Sequence, residues 1–338
     1  MISEPKIRAA VIGLGNIGFM FDLDPLRTGT WSHVRAYAGI SHTFLAGVAE
    51  LDMEKVALFR CHYPGVPAYG NVGELMERCR PEIVSICTPT ATHYPVLKEL
   101  LRYPVKGIFC EKPLSFHIDE AAAMVRMCEE RGIVLAVNHT RRWDEQFLYV
   151  KKVVQGGGIG KVRTIGMIYP GRIFNIGTHL VDALRMIVGR EPIRVSGLAA
   201  APDQDDPDVS GWLQMDDHTV CTLGCVGRRE NLVFELDFIG EEGRVRILDN
   251  GATIEKYLFR ESSSFSGYRE LTSETVETVA GRDRLVEAVR DVAVVAGGGK
   301  GPVKCTGRDG LSALRIVRAL ISSADQEGLP ISLLPHEG

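Results

Sequence analysis

The chain has 338 residues, too many for most single hydrophobic cores, and 45% of them are hydrophobic, so a soluble protein of two domains is expected. Its 39 basic and 43 acidic residues give a net charge of −4 and are interspersed rather than clustered, which leaves no basic stripe to neutralise a nucleic-acid backbone. Met1–Lys6 runs directly into a strand pattern without the basic region and apolar core of a leader, and no run approaches a bilayer span, so a cytoplasmic protein without membrane contact is expected.

In chain order, strand-like runs at Ile7–Ile12, Phe44–Ala49, Ile83–Cys87, Val105–Cys110 and Val134–Asn138 alternate with helical stretches. The latter fall at Asp52–His62, Val72–Cys79, Pro95–Arg102 and Asp119–Arg131. Several of these strands are apolar nearly throughout, as suits strands buried on both faces, and the alternation predicts an α/β Rossmann domain, a doubly wound parallel sheet. From Lys161 onward come short alternating runs, including Leu213–Gly224, Leu232–Ile239 and Arg244–Leu248, the pattern of an antiparallel sheet. The expected organisation is therefore a dinucleotide-binding domain over 1–137 and an α+β domain over 138–338 with an open, mainly antiparallel sheet. The final helical stretches, Arg282–Val295 and Arg308–Gln326, are left free to pack on either. Of the eight cysteines only Cys221 and Cys225 are close in sequence, with no second pair or histidine cluster to complete a zinc set, so buried free thiols and no metal are expected.

Gly13-Leu14-Gly15-Asn16-Ile17-Gly18 follows the first buried-type strand. In that context the first glycine permits a tight turn, the second lets a pyrophosphate approach the backbone, and the third lets helix and strand pack closely. Glu50 ends the second strand, where an acidic residue meets the adenine ribose, and so favours NAD over NADP. It lies 32 residues beyond Gly18 instead of about 20, which requires roughly a dozen extra residues. The turn-rich segment from Phe21 to Trp31, preceding Ser32-His33, is the expected insertion, either a plain surface loop or a cover for a ligand. Asp203-Gln204-Asp205-Asp206-Pro207-Asp208 is an acidic run read as a solvated loop rather than a cation site.

The chain resembles the Gfo/Idh/MocA family of NAD(P)-dependent sugar and cyclitol oxidoreductases over nearly its whole length. Four segments in the right order carry the resemblance: Gly13 to Gly18; Cys87-Thr88-Pro89-Thr90 with His93; Glu111-Lys112-Pro113; and Asn175-Ile176-Gly177-Thr178-His179 with Asp182. Asn138 with Arg142-Trp143, and Gly157 to Val162, are also similar. The resemblance implies that Asn16, Ile17, Thr88, Pro89, His93 and Glu111 join the three glycines and Glu50 around the cofactor. It also implies that the second domain makes oligomer contacts, so a homodimer or homotetramer is expected.

Ligands of such sheets bind outside the carboxyl ends of the strands, where Lys112 falls; Pro113 after it restricts Lys112 to extended backbone. The segment Asn175–Val188 has helical spacing. On an ideal wheel with Asn175 at zero, His179 lies near 40° and Asp182 near −20°, while Leu180, Leu184 and Ile187 form a separate apolar stripe at about 120° to 180°. The alternative is a helix capped by Asn175 with His179 merely solvated. In the family this helix supplies the catalytic histidine, which implies His179 as general base, Lys112 hydrogen-bonded to the same substrate oxygen, and Asn175 and Asp182 positioning them. The two proton-transfer roles are interchangeable. The family commonly has Asp where this chain has Asn175, and an amide carries no charge to stabilise imidazolium.

Arg142, Trp143, Tyr169 and Arg172 are the candidates for substrate contact, through stacking on a sugar face or pairing with an anion, and each has a structural alternative as core aromatic or surface charge. The leading expectation is an NAD(H)-dependent enzyme interconverting a secondary alcohol and a ketone on a sugar, sugar derivative or cyclitol. Two others stand beside it: a glycosidase-type enzyme using NAD transiently, and a non-catalytic NAD-binding regulator.

Overall fold

The computed structural model describes residues 6–200, 205–276 and 283–333. The chain divides into two compact units, the described parts of Met1–Trp143 with Arg282–Ser312, and of Asp144–Gly281 with Ala313–Gly338.

The first unit is built on six parallel strands, β1 (Ile7–Ile12), β2 (Thr43–Ala49), β3 (Ala68–Tyr69), β4 (Ile83–Ile86), β5 (Gly107–Cys110) and β6 (Val134–Val137). Their spatial order is β3-β2-β1-β4-β5-β6, the doubly wound order in which the sequence reverses direction between β1 and β4. Ala9, Ala10, Val11, Ile83, Val84 and Ile86 are fully buried, which is why these strands read as continuous apolar runs. The helices among and after these strands are α1 (His33–Gly39), α2 (Met53–His62), α3 (Val72–Cys79), α4 (His93–Leu100) and α5 (Ile118–Glu130). Asp52 and Asn71 cap α2 and α3 through side-chain bonds to backbone N–H groups, as their positions just before the apolar periodicity suggest.

In the second unit the helices α6 (Glu145–Gln155) and α7 (Thr178–Val188) accompany a nine-stranded sheet. Its strands are β7 (Val162–Tyr169), β8 (Pro192–Ala199), β9 (Val209–Met215), β10 (Val220–Cys225), β11 (Glu235–Gly240), β12 (Gly243–Leu248), β13 (Thr253–Glu261), β14 (Arg269–Glu274) and β15 (Ile331–Ser332). All neighbouring pairs are antiparallel except β7 with β10. The run Leu213–Gly224 is two strands, not one: a tight turn with His218 at φ 69° folds β10 back onto β9. Of the final helices, α8 (Arg284–Ala296) packs on β5, β6 and α1, where Gly107 lets Ala296 approach the sheet. The division between units falls within the last helix, α9 (Gly307–Ala324). Arg282, taken above as the start of a helix, lies outside the described residues.

The extra residues before Glu50 lie between a turn that follows Gly15 and the start of α1, whose first residues bond back to that turn. Phe19 N–H donates to Gly15 O at 2.9 Å, closing one turn; the chain then leaves that turn, and His33 N–H and Val34 N–H donate to Ile17 O and Gly18 O at 3.0 and 3.1 Å. His33 and Val34 thus occupy the positions that residues 21 and 22 would hold in an uninterrupted helix, and residues 21–32, twelve in all, are looped out. The loop is packed on itself: the Arg27 guanidinium lies 3.9 Å from the Phe21 ring centroid and 5.1 Å from that of Trp31, and Trp31 N–H donates to Asp22. It is tied down by Thr30 N–H, which donates to Asp283 at 2.7 Å.

Because the first residues of α1 bond back to that turn, a chain lacking residues 21–32, with Met20 joined to His33, is expected to melt cooperatively with the native far-ultraviolet dichroism. A broad, non-cooperative transition by scanning calorimetry would show that the loop is required to form the helix.

Candidate active site

The glycine turn shows which of its glycines the protein itself requires. Gly13 has φ +93°, and a Cβ there would meet the backbone of Cys87 and Thr88 at 2.8 to 2.9 Å. A Cβ at Gly18 would collide with the Gly13 carbonyl. At Gly15 nothing lies within 4 Å of the added atom, so no protein packing demands glycine there; a backbone left bare on its open side is what an approaching pyrophosphate requires. Asn16 is exposed and Ile17 half-exposed beside it. Glu50 is held against this turn, accepting from Leu14 N–H at 2.6 Å and from Leu51 and Asp52 N–H at 2.8 and 3.0 Å. The residues present therefore fit a dinucleotide.

After β4, the Thr92 hydroxyl lies 2.8 Å from Thr88 Oγ1 and 2.7 Å from Pro89 O, closing the loop on itself. The His93 ring is turned inward, with Nε2 2.9 Å from Thr88 O and Nδ1 3.0 Å from Pro113 O, so that it braces the loop after β4 against the one after β5. Burial holds its pKa below the ordinary histidine value, against the pull of these carbonyls.

Glu111, next to Lys112 at the end of β5, is a buried carboxylate engaged through both oxygens. Its Oε1 is 2.9 Å from His33 Nε2 and accepts from Asn138 Nδ2 at 2.6 Å, and its Oε2 accepts from Lys112 N–H at 3.3 Å. Burial pushes the carboxyl up, but His33, Asn138 and the Lys112 charge together bring it below its ordinary value. His33 Nδ1 in turn lies 2.8 Å from Ser85 Oγ, itself 2.9 Å from the hydroxyl of Tyr37, and His33, Ser85 and Tyr37 are fully buried. Sequence reasoning missed His33, Ser85 and Tyr37. The available signal was Ser85, a polar residue inside the apolar run Ile83-Val84-Ser85-Ile86, which needs a buried partner.

In the second unit, Ile173–Gly177 forms a π-helical turn, in which Ile176 and Gly177 N–H both reach Arg172 O, and α7 begins only at Thr178. Asn175 sits inside this wider turn rather than capping the helix, so the ideal wheel applies to His179 and Asp182 but not to Asn175. Leu180, Leu184 and Ile187 are fully buried as the stripe requires. The polar face is not left free: His179 is 6% exposed and Asp182 fully buried, with Arg185 3.5 Å from Asp182 and paired also to Glu191. The acidic run is not merely solvated. Asp206 accepts from Phe174 N–H and Asp208 from Arg172 N–H, satisfying the open end of the turn; Asp203 and Gln204 lie outside the described residues.

The four substrate-contact candidates are placed differently. Trp143 is 1% exposed, edge-on to Phe109, and donates its indole N–H to Asp291. Tyr169 is fully buried, its hydroxyl bonded to Val209 O and N–H. Both therefore serve packing. Arg142 is paired to Asp309 at 2.9 Å and to Lys304 O, and Arg172 is exposed with φ 75°. None of the eight cysteines is in a disulfide, and five are buried.

Comparison with known proteins agrees with this arrangement. The model of an oxidoreductase family, the NAD-binding Rossmann fold of Gfo/Idh/MocA, matches residues 7–139, and its C-terminal alpha/beta domain matches residues 170–333. The chain is 28% identical to a UDP-N-acetylglucosamine 3-dehydrogenase of Acidithiobacillus ferrooxidans, over 93% of this chain and 95% of that one. It is 26% identical to a myo-inositol dehydrogenase of Streptomyces leeuwenhoekii, over 96% and 99%. The solved structure of the Acidithiobacillus ferrooxidans protein superimposes with a TM-score of 0.75 at 23% identity, over 96% and 99%, a likeness of fold. No described helix is long and apolar enough to cross a membrane.

Two substitutions separate folding from cofactor contact. Gly15→Ala is expected to fold with the native melting temperature but to bind NAD at least about tenfold more weakly by calorimetric titration, since the added methyl occupies the ligand's side of the turn. Gly18→Ala is expected to lose stability, because its Cβ meets backbone that cannot move. Equal losses of stability in the two would contradict the assignment of the open face.

A carboxyl whose pKa is depressed on folding contributes stability that is present above its unfolded value and lost as pH falls through the folded one. The stability advantage of the native chain over Glu111→Gln is therefore expected to be full at pH 7 and to shrink below about pH 4.5, read from urea midpoints. An advantage independent of pH would contradict an ionised Glu111.

Proposed function

This chain belongs to the Gfo/Idh/MocA oxidoreductase family, and on that premise we propose that it interconverts a secondary alcohol and a ketone on a sugar, sugar derivative or cyclitol. The observation that carries this reading lies within one unit: a dinucleotide cradle at the carboxyl ends of β1 and β2, and Lys112 at the carboxyl end of β5 beside a buried carboxylate. The names of the relatives, a nucleotide-sugar 3-dehydrogenase and a myo-inositol dehydrogenase, support ring secondary alcohols as the substrate class.

NAD, when bound, supplies the two-electron acceptor or donor. The chain's own residues must manage the proton, because a hydroxyl that becomes a carbonyl gives up its O–H hydrogen as well. Lys112 is the proposed hydrogen-bond partner of the reacting oxygen, stabilising negative charge as it develops there. His179 is the proposed base, with Asp182 and Asn175 orienting it. Asn175 offers an amide in place of a charge, so stabilisation of a protonated His179 falls to Asp182, itself shared with Arg185. Trp143 and Tyr169, occupied in packing, are left out of the substrate contacts, and Arg172 is retained as the exposed cation. The second sheet presents Ile168, Leu198 and Val220 on its open face, which supports self-association as a homo-oligomer.

The test is NADH absorbance with purified protein, NAD and a panel of nucleotide sugars, sugar acids, aldoses and inositols. Sustained NADH formation is expected with one class. Lys112→Ala is expected to lower kcat by about a hundredfold or more, and His179→Ala by a similar factor, while NAD affinity is retained. Turnover unaffected by Lys112→Ala would exclude the proposed role.

A further inference from the structure

Around Glu111 the hydrogen bonds run in one consistent direction. Asn138 fixes one end: its amide nitrogen, not its oxygen, must face the acceptor-only carboxylate. With hydrogen on Nε2 of His33, that nitrogen donates to Glu111 Oε1, while Nδ1 accepts from the Ser85 hydroxyl. Ser85 then accepts from Tyr37, whose phenol burial keeps protonated by pushing its pKa well above the ordinary value. His33, Ser85 and Tyr37 are fully buried and Asn138 and Glu111 nearly so, which limits competition from water for these bonds. The end of the chain is Glu111, whose second oxygen receives Lys112 N–H and whose charge acts on the Lys112 side chain.

We propose that His33 is a positioning residue of the reaction: its Nε2 bond holds the Glu111 carboxylate in place, and Glu111 in turn sets the place of the Lys112 amine. This rests on the reading of Lys112 given above. His33 reaches this position because it opens α1 and its backbone, with that of Val34, bonds back to Ile17 and Gly18 in the turn that follows Gly15. The imidazole thus links the first helix, which follows the cofactor turn, to the loop that carries the amine.

Two variants of similar bulk separate the bonds. In His33→Gln the amide nitrogen takes the place of Nε2 and keeps the bond to Glu111; in His33→Asn the shorter amide takes the place of Nδ1 and keeps only the bond to Ser85. His33→Asn is expected to lower kcat on the order of tenfold to a hundredfold with little change in KM, and His33→Gln to recover most of it. A readout that needs no substrate is the rate of reductive methylation of Lys112, followed by peptide mass spectrometry: it is expected to change severalfold in His33→Asn and to stay near native in His33→Gln. If His33→Asn does not fold, Ser85→Ala, which releases the far side of the ring, is expected to move both readouts in the same direction by a smaller factor. Equal behaviour of the Asn and Gln variants, or native methylation in His33→Asn or its Ser85→Ala substitute, overturns the proposal. If instead Lys112→Ala retains turnover, the functional reading fails, and the methylation contrast alone decides whether His33 positions the amine.

Discussion

A carboxylate withdrawn from water must have its oxygens met by donors, and the first unit is arranged around one such group. Glu111 is nearly buried at the end of β5, and its donors are His33 on α1 and Asn138 just after β6, both distant in sequence, together with the backbone of the adjacent Lys112. Losing any one would leave a buried charge partly unmet, so the ends of these elements are fixed relative to each other more tightly than apolar packing alone would fix them. Lys112 is adjacent to that charge in sequence and inherits its rigidity.

The looped-out segment shows the same constraint from the side of the chain. Twelve residues separate the turn after Gly15 from α1, yet the bonds from His33 to Ile17 and from Val34 to Gly18 set α1 on the winding of that turn. Had α1 begun one residue earlier or later, the 100° turn per residue would have swung His33 away from Glu111 and Ser85. The loop makes contacts within itself, Arg27 against the Phe21 and Trp31 rings, and is anchored to a distant segment through Thr30 on Asp283.

Much of this was readable from the residues, because it depends on local pattern. Ile7–Ile12 and Val72–Cys79 fall where apolar periodicity places them, and the parallel and antiparallel sheets separate at the change from continuous to alternating hydrophobicity. The glycine turn and Glu50 were legible because each is defined by a strand end. The features that escaped depend on contacts between distant segments. His33 and Glu111 are 78 positions apart, and the insertion removes His33 from the spacing that would have tied it to the glycine turn. Trp143 and Tyr169 look like ligand aromatics until their partners, Asp291 and Val209, are seen to be structural. The π-turn before α7 escaped because its wider winding follows from backbone capping by Asp206 and Asp208, more than 30 positions downstream. Helices α1 and α6 were overlooked, α1 because it is seven residues long and stands behind the insertion.

The most direct test of the central claim is the infrared difference spectrum between the native protein and Glu111→Gln at neutral pH, with glutamate carboxyls isotopically labelled. The account predicts that the substitution removes an ionised carboxylate band. Removal of a protonated carboxyl C=O band instead would contradict it, because the account rests on a charged Glu111 held by the His33 and Asn138 donors beside the Lys112 charge.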